Sequence, residues 1–113
     1  MPRRRAATAH HSVYVIELDE AVWTSSARFR HANPRRDPRR PCVYVGLTGL
    51  TPEERFAKHK AGVRSNAYVH RYGLRLRPDL FPAENPMSYT EGQRMEVEVA
   101  KVLRERGYGV WQN

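Results

Sequence analysis

The sequence is poor in cysteine, and Cys42 is the only one among 113 residues. A single thiol cannot close an internal disulfide, and without further cysteines it cannot form a zinc cluster. Cys42 lies inside the apolar, β-branched run "CVYVGL", so we expect a small buried side chain. Disulfide scaffolds and cysteine-rich zinc domains are therefore excluded.

Long apolar runs are also missing. No stretch approaches the ~20 consecutive apolar residues that a membrane helix needs, and the arginine-rich start is not followed by the apolar region of a signal peptide. No internal repeat is visible, and a chain of this length can bury one modest core but not two. We therefore expect one soluble, cytoplasmic domain without a membrane partner. Association with the nucleoid stays open.

Acidic residues are few relative to basic ones: there are 12 of them against 20 lysines and arginines, for a formal net charge of +8. Three arginines in residues 3–5 and six in residues 28–40, set against Asp37, supply this whole excess, so the rest of the chain is neutral. Such tracts are typical of solvated, disordered segments that hold phosphates without reading base sequence. We predict a basic flexible tail over residues 1–11 and a basic loop insertion over residues 24–41. The loop residues predicted to bind nucleic acid are Arg35, Arg36, Arg39 and Arg40.

Two short segments alternate like β-strands. They are "SVYVIEL" at residues 12–18 and "CVYVGL" at residues 42–47, and in each a tyrosine points away from its neighbouring valines. Antiparallel pairing of the two strands would place Tyr14 and Tyr44 on one face. Gly46, two residues past Tyr44, leaves a side-chain gap on that face, where a substrate backbone could approach.

Capping boxes predict two helices. The boxes pair Thr51 with Glu54 and Ser88 with Glu91, and the expected helix stops are Gly62 and Gly107. Residues 66–82 are consistent with a short helix and an irregular return, and the last six residues with a short strand. The order of elements predicts an α+β fold, in which helices flank a small, three-stranded, mostly antiparallel sheet and a long arginine-rich loop joins the first two strands.

The first predicted helix carries Arg55 and His59 one turn apart. Its apolar side is formed by Phe56, Ala57 and Ala61, which leaves Arg55 and His59 together on the flank of the helix. Both side chains are therefore candidates for a site rather than for the core.

The last predicted helix carries two glutamates of different orientation. Glu96 shares the edge of the buried stripe that includes Val99 and Leu103, whereas Glu98 faces outward. An inward glutamate needs a partner, which can be an arginine, tyrosine hydroxyls or a metal ion. A structural salt bridge to Arg55 is the alternative to a functional role.

In their order along the chain, these features resemble the GIY-YIG nuclease superfamily, and the match spans residues 12–113. They are "SVY" at residues 12–14, "YVG" at residues 44–46, Arg55, His59, Glu96 and a closing Asn113. Two features depart from the family pattern. The first triad is Ser-Val-Tyr instead of Gly-Ile-Tyr, and the two tyrosines are much farther apart in sequence than in a compact hairpin. The excess coincides with the arginine-rich loop, which we interpret as an insertion that leaves the strands in register.

The resemblance implies a metal-dependent endonuclease that hydrolyses phosphodiester bonds in DNA, with RNA not excluded. It also implies that Glu96 is the metal ligand and that Asn113 supports the site. Arg55 suits the phosphate, because a guanidinium can bind two oxygens at once. Since the chain offers one inward acid rather than several clustered carboxylates, we expect a single Mg²⁺ or Mn²⁺. Gly46 and Lys58 complete the predicted nucleic-acid contacts.

Two predictions have an alternative: the identity of the general base and the catalytic activity. A phenol with a pKa near ~10 is mostly protonated at neutral pH, so a tyrosine base needs nearby cations or acts as a proton relay. We favour Tyr14 in this role with Tyr44 as its supporting partner, and His59 is an alternative base that needs no such tuning. The alternative function is a non-catalytic nucleic-acid-binding module that keeps the fold. The sequence identifies no protein partner.

Overall fold

A four-stranded mixed sheet organises this α+β fold, in a computed structural model that describes residues 9–112. The strands are β1 (Ser12–Leu18), β2 (Cys42–Thr48), β3 (Gly73–Leu76) and β4 (Gly109–Gln112), in the order β3-β1-β2-β4. β1 pairs antiparallel with β2 and with β3, and β2 pairs parallel with β4. The predicted strands β1, β2 and β4 are confirmed, but the prediction of three strands was wrong, because β3 lies where only a short helix and an irregular return were expected.

Within residues 9–112, five α-helices surround the sheet. They are α1 (Ala21–Ser25), α2 (Ala27–His31), α3 (Pro52–Lys60), α4 (Ala67–Tyr72) and α5 (Tyr89–Glu105). Both predicted capping boxes are present, at the start of α3 and of α5. Gly62 and Gly107 have φ angles of +81° and +91° just beyond these helices, which is the left-handed conformation that glycine allows at a helix stop. No helix within residues 9–112 has the length and apolar character to span a bilayer.

The pairing of β1 with β2 divides the sheet into two chemically different faces. The valine face carries Val13, Val15, Val43, Val45 and Val110, and packs against Ala100 and Leu103 of α5. The tyrosine face carries Tyr14, Ile16, Leu18, Cys42 and Tyr44, and packs against buried side chains of α1, α2 and α4. Cys42 is completely buried, and burial raises the pKa of its thiol to about 11. The alternation predicted for β1 and β2 is therefore confirmed.

The edge strand β3 is held by charges as well as by backbone hydrogen bonds. Glu17 of β1 forms ion pairs with Arg75 at 2.8 Å and with Arg77 at 3.0 Å. Arg77 also pairs with Asp79 at 2.9 Å. The ion pairs of Glu17 join residues far apart in sequence, so the four residues of β3 alone gave little sign of a strand.

The arginine-rich segment, residues 24–41, is packed into the fold rather than solvated. It contains α2, whose Phe29 is completely buried. The side chain of Arg36 is only 2% exposed; its guanidinium binds both carboxylate oxygens of Glu20, at 2.6 and 2.8 Å, and lies over the Trp23 ring. The prediction of a disordered loop was therefore wrong for this segment, because several of its arginines find partners within the protein.

The predicted basic tail, residues 1–11, lies mostly outside the described residues. Of its last residues, His11 is held to Met87 by two backbone hydrogen bonds, of 2.9 and 2.7 Å. This contact ties the chain just before β1 to the segment that leads into α5.

Asn33 ties the arginine-rich segment to the last strand. Its Nδ2 donates to the carbonyls of Phe29 and Val110, at 2.9 and 3.0 Å. Its Oδ1 accepts from the backbone amide of Val110 at 2.8 Å and from Nε of Arg104 at 3.2 Å. Because Asn33 is only 3% exposed, water cannot readily replace these bonds. One amide thus joins α2, α5 and β4.

Replacing Asn33 by alanine should destabilise the protein by about 3 kcal/mol, because the buried Val110 amide loses its partner. For a domain of this size that corresponds to a fall in melting temperature of roughly 10 °C. Thermal unfolding followed by circular dichroism measures the shift. The matched control is Arg35→Ala in the same segment, where an exposed side chain should change stability by no more than about 0.5 kcal/mol. Equal melting temperatures for the two variants would show that Asn33 is not a structural tie.

Candidate active site

Tyr14 and Tyr44 meet on the tyrosine face as the alternation predicts. The β1–β2 register places Tyr14 opposite Gly46 and Tyr44 opposite Ile16, and the two phenol rings are 6.1 Å apart between centroids. Tyr14 is 1% and Tyr44 2% exposed, so the rings themselves belong to the core. Any chemistry at this pair is therefore confined to the hydroxyl groups.

The positions of Tyr14 and Tyr44 require a residue without a side chain at Gly46. A Cβ built on Gly46 would lie 2.5 Å from both Cζ and Oη of Tyr14 and 2.8 Å from Cε2 of Tyr44, closer than real atoms approach. The gap predicted for a substrate backbone is thus filled by the Tyr14 phenol, and that prediction was wrong. A contact between Gly46 and nucleic acid stays a prediction.

His59 lies in the buried side of α3 and not on its flank. It is completely buried, whereas Ala57 and Ala61, the predicted packing residues, are exposed. The side chain is held in place because its Nε2 lies 2.8 Å from the hydroxyl oxygen of Tyr14. Phe56, the third predicted packing residue, does pack against the core of the tyrosine face, so the predicted packing side of α3 was wrong for Ala57 and Ala61 and for the flank position of His59.

The hydrogen bonds of His59 determine which ring nitrogen carries the proton. Nδ1 accepts from the backbone amide of Asn66 at 3.1 Å, and that amide can only donate. Burial and the charge of Arg55 lower the pKa of His59 to about 4, so the ring is neutral at pH 7. A neutral ring with Nδ1 as acceptor has its proton on Nε2, which therefore donates to the Tyr14 oxygen. This leaves His59 without a free lone pair and argues against its alternative role as the base.

The two phenols differ in their electrostatic surroundings. Burial raises the pKa of Tyr14 to about 12, while the charge and hydrogen-bonding capacity of Arg55 act to lower it. Burial, Tyr14 and Glu96 raise the pKa of Tyr44, and Arg55 is the group that opposes them. Both hydroxyls are therefore protonated at neutral pH in the free protein. Tyr14 is the better candidate base, since His59 also donates to its oxygen and would stabilise the phenolate.

Arg55 is half-buried beside the phenols and is ordered by two carbonyls. Its Nη1 donates to the carbonyl oxygen of Val63 at 3.3 Å and its Nη2 to that of Arg64 at 2.7 Å. A guanidinium has five N–H groups, so further donors remain for an anionic ligand. The salt bridge to Glu96 weighed above is not formed, because none of the ion pairs within residues 9–112 includes either residue.

Glu96 approaches from α5, the helix that packs on the valine face. It is half-buried, and its carboxylate accepts a hydrogen bond from Nε2 of Gln112 at 3.3 Å. Burial raises the pKa of Glu96, with Gln112 acting in the opposite direction. Although Glu96 comes from the other side of the sheet, its negative charge contributes to the raised pKa of Tyr14 and of Tyr44. The carboxylate is thus part of the same electrostatic unit as the phenols.

Gln112 is a site residue that the sequence interpretation missed. It pairs with Val45 in the parallel register, so alternation along β4 turns its side chain to the valine face, where α5 lies. Alternation could have placed Gln112 on the same face as Val110, but its contact with Glu96 depends on the position of α5. The residue predicted for a supporting role, Asn113, lies outside the described residues.

The donor set fits one divalent ion rather than two. Within residues 9–112, no group of three or more His, Cys, Asp or Glu side chains is arranged to hold a metal. Glu96 offers one half-buried carboxylate with a neutral amide as its neighbour. Mg²⁺ commonly keeps several water ligands and binds through one or two carboxylates plus phosphate, which this set allows. A two-metal centre needs more carboxylates than lie here.

The predicted nucleic-acid-binding arginines lie at the other end of β2. Residues 35–40 precede Cys42, whereas Gly46 lies near the end of the strand, about 20 Å from residue 40 in extended chain. The side chain of Arg36 is 2% exposed and its guanidinium binds Glu20, which argues against a contact between Arg36 and nucleic acid. The exposed arginines of this cluster also have partners or neighbours: Arg39 pairs with Asp37, Arg40 lies over Tyr108, and Arg35 lines a depression next to Glu105. Phosphate binding by these three stays a prediction.

The structure thus brings together five of the predicted site residues. They are Tyr14, Tyr44, Arg55, His59 and Glu96. Lys58 is exposed on the same helix as Arg55 and lines the same surface depression. No family model, curated protein or solved structure matches this chain. The site has therefore to be interpreted from its own contacts and charges.

Replacing Gly46 by alanine should destabilise the protein by about 1–3 kcal/mol, because the new methyl group displaces the Tyr14 phenol. Urea unfolding measures the change. The control is Gly49→Ala, where the nearest atom to a Cβ is Nε2 of the His11 side chain at 3.2 Å, a group that can shift. If both variants lose the same stability, the close packing of Tyr14 over Gly46 is not what requires glycine.

The lowered pKa of His59 should make stability depend on pH. In the unfolded chain His59 binds a proton below its usual pKa of ~6.5, whereas in the folded chain it binds one only near pH 4. The free energy of unfolding therefore falls as the pH drops through this range. Between pH 7 and pH 5 the His59 contribution to this loss should be about 2 kcal/mol. Urea unfolding of the native protein and of His59→Gln at both pH values isolates it. Identical losses would show that His59 is not held neutral by the fold.

Proposed function

We propose that this protein is a metal-dependent endonuclease that hydrolyses phosphodiester bonds in DNA. The observation that carries the proposal is the Tyr14–His59 hydrogen bond beside Arg55, with the Glu96 carboxylate close enough to influence both phenols. A phosphodiester needs a cation at its oxygens, a group that takes a proton from water, and a ligand for a metal ion. Arg55, Tyr14 and Glu96 match these needs, and the set resembles that of GIY-YIG nucleases.

In the proposed mechanism each side chain has one task. Arg55 binds the phosphate oxygens with the N–H groups that the carbonyls of Val63 and Arg64 leave free. His59 acts as a positioning residue, since its Nε2–H fixes the Tyr14 oxygen and stabilises negative charge there. Positive charge at the site would lower the phenol pKa, so that Tyr14 first loses its hydroxyl proton to solvent; the phenolate then orients the attacking water and accepts its proton.

Glu96 would hold the metal ion, with Gln112 fixing the carboxylate. A bound Mg²⁺ or Mn²⁺ would neutralise charge on the phosphate and lower the pKa of nearby hydroxyls. The raised pKa of Glu96 in the free protein is consistent with a carboxylate that lacks a cation among its described neighbours. Binding of a divalent ion would reverse that shift, because a positive charge favours the ionised carboxylate.

A second function, a nucleic-acid-binding module without catalysis, is favoured by the burial of the phenols. Tyr14 and Tyr44 are 1% and 2% exposed, so in this structure little of either phenol is open to water. The endonuclease proposal requires entry beside the half-buried Arg55 and Glu96. Salt-sensitive binding with no cleavage in Mg²⁺ or Mn²⁺ would establish the binding module instead.

Incubation with supercoiled plasmid, branched DNA and structured RNA, each with Mg²⁺, Mn²⁺ or EDTA, tests the proposal. We expect nicking of DNA that EDTA prevents. Glu96→Gln should abolish it while leaving the melting temperature nearly unchanged, since glutamine can keep a hydrogen bond to Gln112. The matched control is Glu98→Gln, which changes an exposed carboxylate on the same helix and should cut like the native protein. Undiminished cutting by the Glu96 variant would refute the site assignment.

A further inference from the structure

A surface depression at the turn between α3 and α4 differs in charge from three other depressions on the described part of the chain. The lining residues of this α3–α4 depression are Leu50, Arg55, Lys58, Val63 and Arg64, and its volume is about 650 Å³. Three further depressions each include at least one aspartate or glutamate in their lining. A concave wall with three cations and no carboxylate favours a polyanionic ligand.

The turn that forms one wall of this depression is held in an unusual conformation. Arg64 has a φ of +47°, which is unfavourable for a residue with a Cβ, and is the one non-glycine residue within residues 9–112 with a positive φ. Arg55 stabilises the turn by donating to the carbonyls of Val63 and Arg64, and the amide of Val63 donates to the carbonyl of Lys58 at 2.9 Å. Backbone strain maintained by such contacts occurs preferentially at binding sites. The conformation presents the exposed Arg64 side chain at the depression.

Arg55 connects the α3–α4 depression to the candidate active site. Its two hydrogen bonds order the wall of the depression, while its charge lowers the pKa of Tyr14 and of Tyr44. The depression also lies at the Gly46 end of β2, because Leu50 lies two positions after Thr48, the last residue of that strand. A ligand bound there would therefore lie beside the phenols.

Two exposed aliphatic side chains accompany the cations. Leu50 is 40% and Val63 47% exposed, and both line the depression. Apolar side chains among phosphate-binding cations are typical of surfaces that contact deoxyribose or the faces of unstacked bases. A small inorganic anion would leave these two side chains unused, whereas a nucleic-acid strand would contact both kinds of group.

We propose that the DNA strand reaches the candidate active site across the α3–α4 depression, with phosphates at Lys58 and Arg64 and sugars at Leu50 and Val63. The identity of the ligand rests on the proposed function. The path differs from the one predicted from composition, since the arginine-rich segment lies at the other end of β2 and directs several arginines to partners within the protein. Arg64 thereby becomes a substrate-binding residue that charge counting alone did not single out.

Fluorescence anisotropy with a labelled DNA duplex and the corresponding single strand, in EDTA so that no cleavage occurs, tests the path. Arg64→Glu and Arg35→Glu make the same charge change on two exposed arginines at opposite ends of β2. We expect Arg64→Glu to weaken binding more than tenfold at 0.1 M salt and to reduce the salt slope by about one. Arg35→Glu should change binding less than twofold. Arg64→Gly is a second variant that suits the positive φ, so it should lose affinity without loss of melting temperature.

Three outcomes would overturn the inference. They are equal weakening by the two glutamate variants, a larger effect at Arg35, and polyglutamate or RNA of equal length competing as well as DNA. The same experiments test the proposed function independently. If the native protein binds DNA through Arg64 but cuts nothing in Mg²⁺ or Mn²⁺, the proposed path is supported and the nuclease activity is refuted. If it cuts DNA while Arg64→Glu binds normally, the activity stands and the path does not.

Discussion

The absence of a side chain at Gly46 is the constraint on which the rest of the site depends. The Tyr14 phenol lies where a Cβ would be, and from this position its hydroxyl reaches His59. His59 in turn fixes the turn between α3 and α4 through the Asn66 amide. A shift of β1 by one residue would exchange the valine face for the tyrosine face and break every one of these contacts. The β1–β2 register, the packing of α3 and the position of the proton on His59 therefore depend on one another.

The structural role of each basic residue in this protein depends on the groups that it contacts and not on the total number of basic residues. Arg36 is enclosed by Glu20 and Trp23, so it stabilises the arginine-rich segment as a folded part of the domain. Arg55 combines two roles, because its hydrogen bonds order a turn while its charge acts on the phenols. Net charge alone therefore does not show which cations are engaged within the fold, whereas the neighbours of each cation do.

The sequence predicted those features that local signals determine. The strands β1 and β2 were recognised from alternation, and α3 and α5 from capping boxes, because these patterns act between residues a few positions apart. β3 was missed because it forms by pairing with β1 and is flanked by ion pairs to Glu17, all of which lie far away in sequence. The burial of His59 and the contact of Gln112 with Glu96 were missed for the same reason, since each depends on another element. The inward orientation of Glu96 was predictable from helical spacing, but the side of the sheet from which it acts was not.

The burial of Cys42 has a practical consequence. A thiol that is fully enclosed and has its pKa raised to about 11 reacts slowly with alkylating reagents at neutral pH. Cys42 of the native chain therefore contributes little labelling, and a single cysteine introduced on the surface would be the one thiol that reacts quickly. Spectroscopic probes or cross-linkers can be attached at a chosen point without first removing any natural residue.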